Sequence, residues 1–251
     1  MPEWGSFLFM VEFSLKRAGA GLLLMILFTG ASCQNLNRAS ADTVSGDYDT
    51  RPIICFGDSI TSGFNINGDG KDNRSRAYPA VLQRLVNVPV INAGIAGDST
   101  REALYRLNRD VLSLNPQAVI VFLGINDVLQ NFEFWFTEYN LVNIISNLVA
   151  HNRKIYIVRF LPDGVLHRYM ALQGKSPEER VVIIGQFNDL YEYCVHTFGV
   201  EIIENLWGGL YGVYTPDSLH PNAAGHEIMG ERIFNSMQPY LTYRNLVKQE
   251  L

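Results

Sequence analysis

A serine stands where the first apolar run of the chain gives way to a turn. The run Ile53–Phe56 is followed by Gly57, Asp58 and Ser59. A serine between a strand and a helix exposes its hydroxyl at the edge of a sheet, where the first N–H groups of the helix face a developing anion. The pattern predicts a nucleophile, and a serine that merely caps a helix is the alternative. The Gly-x-Ser-x-Gly elbow of the α/β-hydrolases is excluded, because position 61 is threonine.

A carboxylate and an imidazole lie three positions apart near the carboxyl end of the chain, at Asp217 and His220. An aspartate at this distance can hold the ring in one tautomer while the other ring nitrogen acts as a general base. Pro221 is expected to begin the closing helix. The other histidines lack a carboxylate at this spacing, and we interpret them as surface or packing residues: His151, His167, His196 and His226.

Two further segments offer hydrogen-bond donors to an oxyanion. Gly94 follows a short apolar run and has no side chain to keep a ligand from its backbone N–H. Asn126 follows the run Ala118–Leu123 and carries an amide NH₂, a group that stabilises oxyanions in other acyl-transfer sites. A tight glycine turn and a polar turn are the alternatives for these two segments.

The elements that must position these residues are short apolar runs separated by helical patterns. Runs of this kind suit strands that are buried on both faces of a parallel sheet. Ser99–Glu102 and Ser176–Glu179 match the capping box that begins a helix. The alternation predicts one α/β domain over residues 51–251, a three-layer α/β/α sandwich with a central five-stranded parallel sheet. Its predicted strands are Ile53–Phe56, Val88–Ile91, Ala118–Leu123, Ile155–Val158 and Val200–Ile203.

The amino-terminal segment has the layout of an export signal. Lys16 and Arg17 precede a short apolar stretch, and small residues lead to Cys33. The stretch is shorter than the ~20 apolar residues of a membrane-spanning helix. We predict a signal peptide over residues 1–32, and the small residues before Cys33 resemble a bacterial lipobox, which implies lipidation of that cysteine and a membrane-anchored protein in the periplasm or outer cell envelope. Simple secretion is the alternative, and the polar residues 33–50 indicate a flexible tether.

Composition excludes other classes of protein. A chain that is 47% hydrophobic and 18% charged can bury enough apolar surface to fold, which excludes disorder. A net charge of -5 gives no basic face for nucleic acid. Cys33, Cys55 and Cys194 are too widely spaced for a zinc cluster. We expect Cys55 and Cys194 to be inert core thiols, and a disulfide between them is the alternative outside the cytosol.

Taken in order, the four polar segments resemble the SGNH hydrolase superfamily, the GDSL esterases and lipases. The resemblance runs from about Ile53 to about Met237 and is strongest toward the bacterial acyl-CoA thioesterase I, lysophospholipase and arylesterase enzymes. The superfamily resemblance depends on the segments that contain Ser59, Gly94, Asn126 and His220. The resemblance to these bacterial enzymes depends on Tyr78–Ala80, Asn92–Gly94, Gly97–Thr100 and Gly124–Asp127, and the complete set of segments is Gly57–Ser59, Tyr78–Ala80, Asn92–Gly94, Gly97–Thr100, Gly124–Asp127 and Asp217–His220. Two longer segments, Asn65–Arg76 and Pro162–Pro177, depart from the family pattern and would remodel the rim of the pocket.

The resemblance implies a flavodoxin-like sheet and a serine hydrolase of carboxylic esters or thioesters. Ser59, Asp217 and His220 would be catalytic, and the oxyanion hole would comprise Ser59, Gly94 and Asn126. This chemistry needs no metal or organic cofactor. The expected partner is a small acyl ester or thioester, with no nucleic acid.

Further residues are expected to touch substrate. We predict contacts from Asp58 and Asp127, which flank the Ser59 and Asn126 segments, and from the aromatic rings of Phe132 and Phe134. Packing of those rings into the core is the alternative. Two other functions fit the same residues: a carbohydrate O-acetylesterase of this superfamily, and a lipid- or glycan-binding lipoprotein without activity.

Overall fold

Every pair of neighbouring strands in the central sheet runs parallel. The computed structural model describes residues 49–151, 153–159, 170–171, 173–210, 217 and 219–248. Within that part, five strands are hydrogen-bonded in the order β2-β1-β3-β4-β5. They are β1 Ile53–Gly57, β2 Val90–Gly94, β3 Ala118–Phe122, β4 Lys154–Val158 and β5 Glu201–Ile203. The predicted parallel sheet is confirmed, with the strand order of flavodoxin-like folds.

The described helices pack in two groups. In chain order they are α1 Ser59–Ser62, α2 Tyr78–Leu85, α3 Thr100–Asp110, α4 Ile125–Leu129, α5 Phe134–Val149, α6 Pro177–Phe198 and α7 Ala223–Tyr243, with a 3₁₀ turn at Leu112–Leu114. Helix α2 packs on α7, whereas α5 packs on both α3 and α6. Every residue of β1 and of β3 is buried, so both faces of the sheet are covered. The result is the expected α/β/α sandwich.

The strand order reverses direction beside the first strand. The chain crosses from β1 outward to β2 and then returns to β3 on the other side of β1. In open α/β sheets, ligands bind at such a reversal, beyond the carboxyl ends of the strands. The register puts Gly57 at the end of β1 level with Gly94 in β2 and with Phe122 in β3. Residues that follow these three positions therefore meet at one edge of the sheet.

Both predicted capping boxes are present. The Ser99 side chain accepts from the helix N–H groups of α3 while Glu102 accepts from the Ser99 N–H, and Ser176 and Glu179 make the same pair of contacts at α6. The start of the closing helix differs from the prediction. Helix α7 begins at Ala223 and is capped by Asn222, whose Oδ1 accepts from Gly225 N at 3.0 Å. The side-chain cap therefore places the helix start two residues beyond Pro221.

The second strand also starts later than predicted and ends later. Pro89 precedes β2 and contributes only its carbonyl, which accepts from Ile53 N at 2.9 Å. Pairing continues instead through Asn92, Ala93 and Gly94, which lie beside Cys55–Gly57. These residues have low strand propensity, and pairing with a buried neighbour holds them in the sheet. Gly94 is consequently a strand residue rather than part of a turn.

The remaining predictions concern the amino-terminal segment, the cysteines and membrane-spanning helices. The predicted signal peptide, the predicted lipidation site Cys33 and nearly all of the predicted tether 33–50 lie outside the described residues. Cys55 and Cys194 are buried free thiols, so the two are not joined by a disulfide. No helix in the described ranges is both long enough and apolar enough to span a membrane.

Candidate active site

Ser59 is the first residue of the short helix α1. Asp58 caps this helix, because its Oδ1 accepts from Ile60 N at 3.0 Å. At the other end Gly63 takes a left-handed conformation, with φ 77°, and stops the helix after one turn. The Ser59 residue is 6% exposed. A capped single turn thus holds the hydroxyl at the carboxyl end of β1.

Ser59, His220 and Asp217 form one continuous chain of hydrogen bonds. His220 Nε2 lies 2.9 Å from Ser59 Oγ, and His220 Nδ1 lies 2.7 Å from Asp217 Oδ2. A carboxylate can only accept, so Nδ1 carries the proton and Nε2 is left to accept from the serine hydroxyl. The Phe64 ring packs edge-on against the imidazole, with centroids 5.1 Å apart. This is the geometry of a serine nucleophile activated by a general base.

Asp217 receives hydrogen bonds on both carboxylate oxygens. Its Oδ1 accepts from His220 N at 2.6 Å and from Leu219 N at 3.0 Å. Its Oδ2 accepts from Asn65 Nδ2 at 2.8 Å as well as from the imidazole. Partial burial would raise the pKa of Asp217, but these bonds outweigh it and hold the pKa well below its usual range. The carboxylate therefore stays ionised beside His220.

Gly94 is buried at the end of β2, where another backbone segment approaches closely. A β-carbon on Gly94 would lie 2.3 Å from Ser62 N and 2.7 Å from Thr61 C. The N–H of Gly94 donates to Asn92 Oδ1 at 3.0 Å, and Asn92 Nδ2 donates to Thr61 O at 2.7 Å. Glycine is thus required here by the approach of α1 to β2. That approach also places the Gly94 N–H beside the helix that carries Ser59.

Asn126 lies in the first turn of α4, which follows β3 through Gly124. Gly124 has φ 115°, a conformation that other residues rarely adopt. The Asn126 side chain donates from Nδ2 to Asp98 O at 2.9 Å. A carboxamide has two N–H bonds, so one can orient the group through Asp98 while the other stays available for a ligand.

The family follows from comparison with known sequences. Residues 55–228 match the sequence pattern of the GDSL-like Lipase/Acylhydrolase family. The chain belongs to this family. The predicted SGNH resemblance is therefore confirmed, and the matched range contains every residue of the site described above.

Individual relatives agree with this placement. The thioesterase 1/protease 1/lysophospholipase L1 of Escherichia coli is 24% identical over 196 residues, which cover 76% of this chain and 85% of the relative. An acetylxylan esterase of Geobacillus stearothermophilus is 24% identical over 202 residues, covering 70% of this chain and 89% of the relative. The solved lipase/acylhydrolase of Enterococcus faecalis shares the fold, with a TM-score of 0.60, 24% identity and coverage of 80% of this chain and 99% of that chain.

The two aspartates that we expected to bind substrate are buried in this GDSL-family site. Asp58 is 0% exposed and Asp127 is 1% exposed. Asp127 accepts from Thr100 N at 2.9 Å, from the Thr100 hydroxyl and from Thr137 Oγ1 at 3.2 Å. Burial raises the pKa of Asp127 and raises the pKa of Asp58 to about 7. Asp58 accepts from the first turn of α1 and Asp127 from the first turn of α3. Substrate contact at these two buried side chains stays a prediction.

The two predicted aromatic contacts differ in their surroundings. Phe134 packs against the core, with its ring centroid 5.2 Å from that of Phe187. Phe132 is half-buried and lies against Phe136 at 5.7 Å, with the Arg101 guanidinium also 5.7 Å from its centroid. Phe134 therefore packs against the core in part, and substrate contact at either ring stays a prediction.

Arg106 supports the site from within and was missed by sequence reasoning. It is 6% exposed and donates to Gly57 O and to Ala93 O, each at 2.8 Å, which ties the end of β1 to the end of β2. Its charge is balanced by Asp98, 2.5 Å from Nε. An arginine on a polar helical pattern gives no sign of burial, because only the packed structure shows that the two carbonyls lie within its reach.

Arg74 was also missed, and it lies in the segment Asn65–Arg76 that departs from the family pattern. It donates to Asn92 O at 2.6 Å and to Gly94 O at 2.7 Å. Within the described ranges, no group of three or more His, Cys, Asp and Glu side chains is arranged to hold a metal ion. The polar groups at this edge of the sheet are instead arranged around Ser59.

Proposed function

We propose that the protein is a serine hydrolase that cleaves carboxylic ester or thioester bonds through an acyl-Ser59 intermediate. The observation that carries the proposal is the chain of contacts from Ser59 Oγ through His220 to Asp217, at 2.9 and 2.7 Å. These distances lie within the reach required of a nucleophile, its base and the group that orients the base. An inactive binding protein would have no need for all three groups in this arrangement.

In the first step His220 Nε2 takes the proton of Ser59 as Oγ attacks the substrate carbonyl carbon. The imidazolium that forms is stabilised by the ionised Asp217. Collapse of the tetrahedral intermediate breaks the bond to the leaving oxygen or sulfur, which receives the proton from His220. Water then attacks acyl-Ser59 with the same base, releasing a carboxylic acid and restoring the serine.

The tetrahedral oxyanion is held by the N–H groups of Ser59 and Gly94 and by the Asn126 amide. Donors that are already aimed at the developing charge stabilise the transition state more than the substrate. The Gly94 N–H is shared with Asn92 Oδ1, whereas Asn126 keeps a second N–H beyond its bond to Asp98 O. We therefore assign the larger contribution to Asn126.

Covalent labelling tests the proposal. A fluorescent alkyl phosphonate should label the wild-type protein in a single adduct, and mass spectrometry should place that adduct on Ser59. Ser59→Ala should abolish labelling and ester hydrolysis. Ser113→Ala is the matched control, because Ser113 is exposed and its hydroxyl donates only to Arg109 O, at 2.7 Å. Labelling that persists in Ser59→Ala would refute the assignment.

The acetylxylan esterase relative supports a second candidate, an O-acetylesterase of carbohydrates. The chemistry at Ser59 would be the same, so substrates must separate the two functions. We propose comparing kcat/KM for an acyl-CoA, a lysophospholipid and acetylated xylan. Preference for the first two supports acyl-chain substrates, and preference for acetylated xylan supports the acetylesterase.

The amino-terminal layout supports export with lipidation at Cys33. The predicted tether of residues 33–50 would then join a membrane anchor to the hydrolase domain of residues 51–251. Expression in bacteria with a radiolabelled fatty acid should label the wild-type protein and not Cys33→Ala. Cys194→Ala, which removes a buried thiol, is the control and should keep the label.

A further inference from the structure

Asn65 touches the catalytic carboxylate from outside the triad. Its Nδ2 donates to Asp217 Oδ2 at 2.8 Å, and this is the oxygen that also lies 2.7 Å from His220 Nδ1. Asn65 belongs to the segment 65–76 that departs from the family pattern. The contact joins two positions that are 152 residues apart in the chain.

The orientation of the Asn65 amide is settled by a second hydrogen bond. Gly70 N donates to Asn65 Oδ1 at 3.0 Å, so the oxygen faces the loop and the NH₂ faces Asp217. A reversed amide would place two N–H groups toward Gly70 N and an oxygen against the carboxylate, and both contacts would be repulsive. The backbone of Asn65 is left-handed, with φ 59°, a conformation that asparagine tolerates well.

The loop that carries Asn65 is tied to the helix of the nucleophile. Asn65 N donates to Lys71 O at 2.9 Å, which closes the loop. Asn73 N donates to Gly63 O at 2.9 Å, and Ser62 Oγ donates to Asp72 Oδ1 at 2.8 Å. Ser62 and Gly63 end the turn that begins with Ser59. The Asn65 amide therefore has a fixed position relative to the serine hydroxyl.

We propose that Asn65 is a positioning residue that holds Asp217, and through it His220, in line with Ser59. This inference rests on the proposed serine hydrolase function. The Asp217 side chain is 33% exposed, and its two backbone partners both come from the next three residues of its own turn. Among the described residues, Asn65 donates to the Asp217 side chain from the part of the fold that carries the nucleophile, whereas Ser59 and Phe64 contact the imidazole of His220. Its side-chain hydrogen bonds go to Asp217 and to Gly70 N, so we infer that it acts on the reacting atoms through the carboxylate.

Asn65→Asp and Asn65→Gly test the proposal. Aspartate keeps an acceptor for Gly70 N and tolerates the left-handed backbone, but it sets a second carboxylate against Asp217. We expect kcat to fall by ~10–100-fold and the acidic limb of the kcat/KM profile to move about one unit toward higher pH, because the added charge favours protonated imidazole. Glycine keeps the backbone and removes the amide, and kcat should fall ~10-fold with KM within twofold, since a looser base is aligned less often.

Asn115→Gly is the matched control. Asn115 is also left-handed, with φ 46°, but it precedes β3 at the opposite edge of the sheet, and its substitution should leave kcat and the pH profile unchanged. Rates are normalised to active sites titrated with the phosphonate. An Asn65→Asp profile that superimposes on that of the wild type, or a change in KM alone, would overturn the inference. Failure of wild-type protein to react with phosphonate would instead refute the proposed function.

Discussion

A methyl group added at Gly94 should damage stability and catalysis together. In Gly94→Ala the new β-carbon would lie 2.3 Å from Ser62 N, 2.7 Å from Thr61 C and 2.8 Å from Thr61 Cβ. Non-bonded atoms of this kind are comfortable at ~3.5 Å, so β2 and α1 must separate by about 1 Å. Two of the obstructing atoms belong to the backbone, and no side-chain rotation can relieve the contact.

The magnitude follows from what resists that separation. Arg74 donates to the carbonyl of Gly94, and Arg106 donates to those of Ala93 and Gly57, so the strand end cannot move without breaking hydrogen bonds that are partly or fully buried. Overpacking costs ~1–3 kcal/mol where side chains can adjust, and we expect about 3 kcal/mol here. A displacement of ~1 Å at a catalytic group can cost ~10²-fold in rate, which is the loss of kcat that we expect in the folded fraction.

Urea denaturation gives the free energy of unfolding, and ester hydrolysis normalised to titrated active sites gives kcat. Gly185→Ala is the matched control, because Gly185 is an exposed residue of α6 with no atom within 4 Å of an added β-carbon. That variant should keep wild-type kcat and gain up to ~1 kcal/mol from helix propensity. A Gly94→Ala protein with unchanged stability and kcat would show that the approach of α1 to β2 does not constrain the site.

Three further predictions concern single side chains. Asn126→Ala should lower kcat by ~10²–10³-fold with little change in melting temperature, because it removes an oxyanion donor from a half-buried position outside the core. Asp58→Asn should become more stable relative to the wild type as the pH is raised from ~4 to ~7, by up to ~1.4 kcal/mol per pH unit. Burial raises the pKa of Asp58 to about 7, so the unfolded wild-type chain loses this proton before the folded protein does, and the wild type loses stability over that range. His226→Gln should become more stable relative to the wild type as the pH falls below ~6.5. Burial lowers the pKa of His226 to about 3, so the unfolded wild-type chain binds a proton that the folded protein does not, and the wild type loses stability that the variant keeps.

Thermal and urea unfolding across pH 4–8 checks the last two predictions. Asparagine at position 58 can still accept from Ile60 N, and glutamine at position 226 can still accept from Tyr78 N, which now donates to His226 Nδ1 at 3.2 Å. Stability differences that do not vary with pH would refute both. A rise in KM at constant kcat would refute the role assigned to Asn126.

Local signals in the sequence were sufficient to predict the architecture and the family. Continuous apolar runs can be buried only between two layers of helices, and the capping boxes at Ser99 and Ser176 need only residues three positions apart. The Asp217–His220 pair is likewise local, because its spacing lies within one turn. The sequence predicts Ser59 as a nucleophile only when its segment is considered together with this pair and with the Gly94 and Asn126 segments.

Contacts between distant segments were decided by the tertiary structure alone. The contact of Asp127 with the start of α3 depends on how α4 and α3 lie in the fold, and no pattern near residue 127 reports that. The same holds for Arg106, which reaches two strand ends, and for Asn65, which reaches a carboxylate 152 residues away. A residue type and its near neighbours determine what a side chain can do, whereas burial and long-range contacts determine which of those possibilities this fold uses.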